Sequence, residues 1–198
     1  IEYNSKKTNG QIKNGQVTAT IEHSRRINGD GNSVVQPVVN VLVGSLPVGS
    51  ISTEEVGSPN SILQIVELDS SNPYPEVLLS TFTGGAHCCN DTRVLTSDAS
   101  GKHWSEIRLG LSDGGTDFAS DPLGLGRNVI VGSDDRFLYR FSPYANSWTP
   151  SRIWQLNGLE FVDVSRLPEY RPVHRKSLAN MSSWFSQRNQ EVPNGFLA

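Results

Sequence analysis

Alternating hydrophobic and polar positions predict β-strands along most of this chain. In residues 16–24, QVTATIEHS, apolar Val17, Ala19 and Ile21 alternate with polar neighbours. A period of two is the spacing of a strand with one buried face. Further apolar runs predict additional strands, in VVQPVVNVLVG, SILQIVELD, PEVLLSTFT and NVIVGSDDRFLYRF, the last read as two short strands about a polar turn. Pro37 predicts an edge position or a bulge, because proline has no amide N–H to donate to a ladder.

Turn residues separate these runs. The segment LPVGSISTEEVGSPN, residues 46–60, is read as a loop, and the acidic pair Asp134–Asp135 as solvated turn residues. RVLTSDASGKHWSEIRL predicts a strand, a turn and a second strand. RIWQLNGLEFVDV predicts a hairpin about Asn157 and Gly158, since Asn-Gly is the favoured pair of a type I′ turn.

The C-terminal part has a different period. Leu178, Met181 and Phe185 follow helical spacing, with Trp184 beside them. We therefore expect one amphipathic helix near residues 174–190 that packs on the sheets. The fold class is all-β, with antiparallel sheets arranged as a partial propeller-like repeat array or a two-sheet sandwich, and one C-terminal amphipathic helix. We expect a single domain over 1–198, with N-terminal strands in 1–60, two Asp-loop repeats in 61–170, and the helix and tail in 171–198.

Two stretches inside 61–170 repeat one pattern. VELDSSNPYPEVLLS and FASDPLGLGRNVIVG align without a gap, and this alignment matches Asp69 with Asp121 and Val77 with Val129. Each stretch runs from a strand through an aspartate into a loop of Gly, Pro, Asn or Ser, and then into a β-branched strand. Repeats of this kind are typical of propellers and solenoids.

These stretches resemble FG-GAP/VCBS-type repeats, which are found in integrin-like propellers. The closer similarity, over roughly residues 62–185, is to uncharacterised bacterial envelope proteins with degenerate repeats, and TGGAHCC is its most specific part. The resemblance implies that loop oxygens of Asp69, Asn72 and Glu76 bind calcium. The alternative is that Asp69 and Asp121 accept hydrogen bonds from their own loop amides, since Ser, Asn and Leu stand where further acids would help.

Composition narrows the range of functions. The net charge is −3 and no basic stripe is present, so we expect no nucleic-acid partner. No apolar run approaches the about 20 residues of a membrane-spanning helix. The abundance of polar, uncharged residues favours an extracytoplasmic location, in the bacterial periplasm, in the envelope or outside the cell.

The two cysteines are adjacent, as Cys88 and Cys89 in TGGAHCCN. Four interpretations stay open: two reduced, buried thiols; a vicinal disulfide that makes the loop rigid; a metal site with His87; or a catalytic thiolate. A disulfide between neighbours needs an unusual backbone path, because Cα atoms across a trans peptide are only about 3.8 Å apart. Gly84 and Gly85 upstream permit such a path.

No nucleotide-binding or nucleophile-elbow motif occurs. The preferred hypothesis is a non-enzymatic module that binds a protein or an envelope component. Tyr144 and Trp148, in the loop SPYANSWTP, are expected to be exposed for binding, and the cysteine loop offers a second binding surface at Thr83, Gly84, Gly85 and His87. The alternative is a thiol-dependent redox enzyme or hydrolase that uses His87, Cys88 and Cys89. The basic run RPVHRK, from Arg171 to Lys176, is either paired with acids of a neighbouring loop or a binding element.

Overall fold

The computed structural model describes residues 2–5, 9–57, 60–86, 88–113 and 118–187. Within these ranges the chain forms thirteen strands and one α-helix, together with short 3₁₀ turns. The strands are β1 (Glu2–Ser5), β2 (Gly10–Asn14), β3 (Val17–Ile27), β4 (Ser33–Val43), β5 (Leu46–Ser52), β6 (Ser61–Val66), β7 (Glu76–Phe82), β8 (Cys88–Ser97), β9 (Trp104–Asp113), β10 (Phe118–Ser120), β11 (Val129–Ser133), β12 (Ser151–Asn157) and β13 (Glu160–Asp163). The helix is α1 (Arg171–Gln187), and the 3₁₀ turns are Asp135–Phe137, Tyr144–Asn146 and Pro168–Tyr170.

The strands form three antiparallel sheets. The N-terminal sheet has the order β2-β3-β4-β5, the middle sheet β1-β6-β7-β8-β9, and the C-terminal sheet β10-β11-β12-β13. Each sheet is thus a meander of four consecutive strands, and β1 adds to the edge of the middle sheet by pairing with β6. Short connections between neighbouring antiparallel strands explain why the chain completes one sheet before it begins the next.

The sheets are stacked in chain order around two hydrophobic cores. Strand β7 shows the arrangement most clearly: Val77 and Leu79 pack in the core shared with the N-terminal sheet, while Leu78 packs in the core shared with the C-terminal sheet. All three side chains are fully buried. A strand covered on both faces reads as a continuous apolar run instead of an alternation, which explains the unbroken apolar run at positions 77–79.

Helix α1 covers the outer face of the C-terminal sheet, where Tyr170 packs with Val129 and Ile153 in a third core. Met181 and Phe185 are buried, as expected, but Leu178 is 47% exposed, so its predicted place in the apolar stripe is wrong. The helix begins three residues before the predicted start. Residues 188–190 of the predicted helix lie outside the described residues.

The all-β class with a C-terminal helix is confirmed. The chain forms three stacked antiparallel sheets, so the two-sheet sandwich is wrong, because the middle sheet packs on both faces. The propeller-like repeat array stays a prediction. The N-terminal region, which lacks the Asp-loop pattern, also folds as a meander, in β2–β5.

Several local predictions need correction. Leu46–Ser52, predicted as loop, is strand β5, whose burial pattern does not alternate. Pro37 lies in an interior strand, but just beyond the register over which β5 pairs with β4, so its missing N–H disrupts no ladder there. The β12–β13 hairpin is confirmed, yet its central residues are Gly158 and Leu159, because Asn157 pairs with Glu160. Gly158 has φ +60° and supplies the left-handed conformation of that turn.

A polar side chain connects the middle and C-terminal sheets. Gln64 on β6 is 7% exposed. Its Nε2 donates to the Ala119 carbonyl at 3.1 Å, and its Oε1 accepts from the Ala119 N–H at 2.8 Å. The side-chain amide thus satisfies both backbone groups of Ala119 as a neighbouring strand would. In the described part of the chain, no helix has the length and apolar character needed to cross a membrane.

Candidate functional site

The β11–β12 connection, residues 134–150, is the longest loop of the C-terminal sheet. Connections longer than about 12–15 residues are uncommon in compact domains and often carry function. The sequence DRFLYRF within it was predicted as strand, but it forms a 3₁₀ turn and irregular backbone. The connection carries five aromatic residues, Phe137, Tyr139, Phe141, Tyr144 and Trp148.

Asp134 anchors the start of this connection. It was predicted to be solvated, yet it is 7% exposed. Its Oδ1 and Oδ2 accept from Nε and NH2 of Arg136, each at 2.6 Å. This fork-shaped ion pair holds the pKa of Asp134 below its ordinary value. Asp134 is also the N-cap of the 3₁₀ turn Asp135–Phe137, where its side chain accepts from the Arg136 N–H.

Tyr139 occupies a backbone conformation that is unusual for a large side chain, with φ +57°. Its N–H donates to Ser147 Oγ at 3.2 Å, and its ring lies 5.6 Å from that of Tyr144. Bulky residues adopt the left-handed region at a cost, and such strain concentrates at functional positions. The Tyr139 side chain is 61% exposed at the surface of the connection.

Tyr144 and Trp148, predicted to be exposed, are only partly exposed. The Tyr144 hydroxyl donates to Asp113 Oδ1 at 3.1 Å, and burial, followed by this hydrogen bond, raises the pKa of Tyr144. Trp148 packs 5.9 Å from Trp184 of α1. Tyr144 and Trp148 line a cavity of about 310 Å³, here called the aromatic cavity. Its other lining residues are Gly132, Ser133, Leu138, Ser147, Thr149, Ser151 and Ser177. Rings held in place beside hydroxyl groups can stack on an apolar surface while the hydroxyls form hydrogen bonds.

A second depression borders the same connection. This cleft, here called the basic cleft, has a volume of about 740 Å³ and lies between the connection and the start of α1. It includes Arg136, Arg166, Arg171 and His174. Arg171 and His174 belong to the basic run singled out in the sequence, whereas Arg136 and Arg166 could be assigned to the cleft only from the fold.

In the cysteine loop, the structure explains why Thr83, Gly84 and Gly85 occupy their positions. Thr83 closes the loop: its N–H donates to the Cys89 carbonyl at 2.7 Å, and its Oγ1 accepts from the Cys89 N–H at 2.9 Å. Gly84 has φ +96°. A Cβ at Gly85 would collide with the Cys88 carbonyl oxygen. A side chain is therefore disfavoured at Gly84 by the backbone conformation and excluded at Gly85 by a close backbone contact.

Cys88 and Cys89 are joined to each other as a disulfide, across a cis peptide bond. Neither is a free thiol, and a thiolate nucleophile would require one. The thiol-dependent enzyme stays a hypothesis, and His87 lies outside the described residues. Cys88 pairs with Asp113 in the ladder, and Asp113 accepts from Tyr144. Asp113 therefore lies next to both the cysteine loop and the β11–β12 connection.

The two Asp loops occupy equivalent β6–β7 and β10–β11 connections. Asp69 Oδ1 accepts from the Ser71 N–H at 3.0 Å, and Asp121 Oδ1 accepts from the Leu123 N–H at 3.3 Å. Both are Asx turns, which was the alternative to calcium binding. The second oxygens differ, because Asp69 Oδ2 accepts from the Gly158 N–H at 2.7 Å and so ties its loop to the β12–β13 hairpin.

The expected calcium ligands do not fit a cation in this arrangement. Glu76 is fully buried, and its oxygens accept from the Leu68 N–H at 2.6 Å, Asn72 Nδ2 at 2.7 Å and Thr96 Oγ1 at 3.0 Å. Asn72 Oδ1 accepts from the N–H of Tyr74. The oxygens that calcium would need therefore already accept hydrogen bonds. Within the described ranges, no cluster of three or more His, Cys, Asp or Glu side chains could hold a metal ion.

The fold and this site together define an all-β domain of three stacked sheets, whose β11–β12 connection borders the aromatic cavity and the basic cleft. The chain is 39% identical over 194 residues to a probable thylakoid lumen protein of Synechocystis sp., a match that covers 97% of this chain and 57% of that relative. It is 32% identical over 141 residues to an uncharacterized protein of Sinorhizobium fredii, covering 71% of this chain and 21% of that relative. The chain thus spans about half of the first relative's length and a fifth of the second's. No family model matches the chain, and no solved structure matches it.

Proposed function

We propose that this chain is an extracytoplasmic binding domain whose β11–β12 connection contacts a protein or an envelope component. The domain has no catalytic role in this proposal. The observation that carries it is the connection itself: several aromatic rings, held by hydrogen bonds and ring contacts, face solvent between an aromatic cavity and a basic cleft. Aromatic and arginine side chains with restricted freedom are the residues that dominate binding energy at protein interfaces.

Two observations support the location. The Synechocystis relative is named as a probable thylakoid lumen protein, and the thylakoid lumen is a compartment outside the cytoplasm. The disulfide between Cys88 and Cys89 is chemistry that oxidising compartments favour. We extend both to this chain and propose a bacterial periplasmic, envelope or secreted location. The similarity to envelope proteins with degenerate FG-GAP/VCBS-type repeats belongs to the same proposal, and the equivalent Asx turns at Asp69 and Asp121 support it.

The test is capture of envelope components by the purified chain. The double variant Tyr144→Ala/Trp148→Ala removes the two rings of the aromatic cavity, and Phe118→Ala is the matched control, because Phe118 is a partly exposed aromatic residue on β10, outside the connection. Immobilised protein is incubated with detergent-solubilised envelope from the source cells, and bound material is identified by mass spectrometry. We expect a partner retained by wild type and by Phe118→Ala but lost by the double variant. Equal retention by all three proteins would contradict the proposal.

A further inference from the structure

The basic cleft contains more positive charge than its acidic residues neutralise. It is lined by Asp134, Arg136, Phe137, Pro150, Ser151, Asp163, Ser165, Arg166, Leu167, Arg171 and His174. Arg136 forms an ion pair with Asp134, so these two charges neutralise each other. Asp163 accepts hydrogen bonds from Arg152 Nε at 2.9 Å and from Ser165 Oγ at 2.6 Å. Both carboxylates of the cleft are thus engaged.

Two guanidinium groups remain without such partners. Within the part of the chain that the structure describes, the side chains of Arg166 and Arg171 take part in none of the ion pairs or hydrogen bonds. Both residues line the cleft. Like charges in a concave surface strengthen each other's field and attract an oppositely charged ligand.

The position of the cleft at the start of α1 adds to this field. The first turn of α1 contains no acidic residue, and Arg171 and His174 both lie there. Cations at a helix N-terminus oppose the partial positive charge of the unpaired amide groups, which costs stability. His174 Nε2 lies 2.7 Å from the Ser165 carbonyl oxygen, so this nitrogen donates its proton to the backbone. A bound anion would offset the unfavourable charge of Arg171 there.

Three apolar side chains also line the cleft, beside the hydroxyl groups of Ser151 and Ser165. Phe137 and Pro150 come from the β11–β12 connection, and Leu167, which is 45% exposed, comes from the segment before α1. A site of several hundred cubic ångströms with apolar walls and a few charged groups is typical for a small organic ligand.

From these observations we infer that the basic cleft binds a small organic anion, in which a carboxylate or phosphate group contacts Arg166 and Arg171 and an aromatic or aliphatic body contacts Phe137 and Leu167. The inference rests on the proposed function, because it assigns a ligand class to one side of the same connection. Carboxylates and phosphates share the recognition chemistry, since a guanidinium donates two parallel hydrogen bonds to either.

The test is isothermal titration calorimetry of the whole chain at low salt with four probes: phenyl phosphate, benzoate, inorganic phosphate and the neutral benzyl alcohol. Phenyl phosphate or benzoate should bind with a Kd of about 1 mM or lower, and more tightly than either inorganic phosphate or benzyl alcohol. Which of the two binds better distinguishes a phosphate from a carboxylate source. Arg166→Ala and Arg171→Ala should each weaken binding about tenfold.

Arg175→Ala is the matched control, because Arg175 is exposed on the same helix and does not line the cleft. It should change the Kd by less than about twofold, since an exposed charge outside the site acts only through screened attraction. An equal loss in Arg175→Ala and Arg171→Ala, or no binding of either organic anion, would overturn the inference. Equal affinity for inorganic phosphate and phenyl phosphate would overturn the role of the apolar walls.

The same variants separate this inference from the proposed function. If Arg166→Ala/Arg171→Ala still captures the envelope partner while no anion binds to wild type, the ligand assignment fails and the binding domain stands. If anions bind as expected but no partner depends on Tyr144 and Trp148, the proposed function fails and the cleft stands.

Discussion

Replacing Gln64 by leucine is expected to weaken the contact between the middle and C-terminal sheets. Leucine has a similar size, so the change removes two hydrogen bonds without opening a large cavity. The N–H and carbonyl of Ala119 would then be buried without these partners. A buried polar group left unsatisfied costs about 1–3 kcal/mol, so for these two groups we expect the free energy of unfolding to fall by about 2–6 kcal/mol.

Urea denaturation followed by circular dichroism measures this change. A shift of the midpoint with an unchanged slope reports stability alone. Gln155→Leu is the matched control, since Gln155 is a half-buried strand residue whose side chain makes no hydrogen bond among the described residues. It should change stability by less than about 0.5 kcal/mol. A Gln64→Leu protein as stable as wild type would refute the idea that this side chain joins the sheets.

Three further predictions concern the loops. Adding calcium or a chelator should leave the melting temperature unchanged, because the oxygens of Asp69 and Glu76 already accept hydrogen bonds; a rise with calcium, which would follow from binding to the folded state, would contradict this. Thiol titration of the unreduced, denatured protein should find no free thiol, and two after reduction, because Cys88 is bonded to its neighbour; two thiols before reduction would show a reduced pair. Asp134→Asn should lower stability at pH 7 by about 1 kcal/mol, since its partner Arg136 is largely exposed. The pKa of Asp134 is lowered in the folded state, so the unfolded chain binds this proton more tightly; the difference between wild type and Asp134→Asn should therefore be present above about pH 4 and disappear as the pH falls further. A difference in unfolding free energy that persists at low pH would contradict this assignment.

Strand periodicity was sufficient to predict the fold class and most strands. The alternation in β3 is visible because only one face of the N-terminal sheet is buried. The number of sheets was not predictable, since a strand such as β7 shows that both faces are covered but not by what. Strand β5 was missed because its exposed positions break the alternation.

The candidate site was predictable only in part. Aromatic residues in a loop rich in Pro, Asn and Ser pointed to Tyr144 and Trp148, but partners distant in sequence, Asp113 and Trp184, limit how far they are exposed. The role of Asp134 also depends on burial that no local pattern reveals. The aromatic residues and positive charges within DRFLYRF were the available signal of the site. They could have identified this segment as part of a long loop between strands.

The central claim is that the basic cleft, between the β11–β12 connection and the start of α1, binds a small organic anion. Nuclear magnetic resonance of ¹⁵N-labelled protein tests it most directly, by mapping amide shifts as phenyl phosphate is added. We expect the largest shifts within residues 134–151 and 163–174, the two segments that contribute the lining of the basic cleft. Shifts concentrated instead in the cysteine loop or the β6–β7 loop, or the absence of shifts at saturating probe, would contradict the claim.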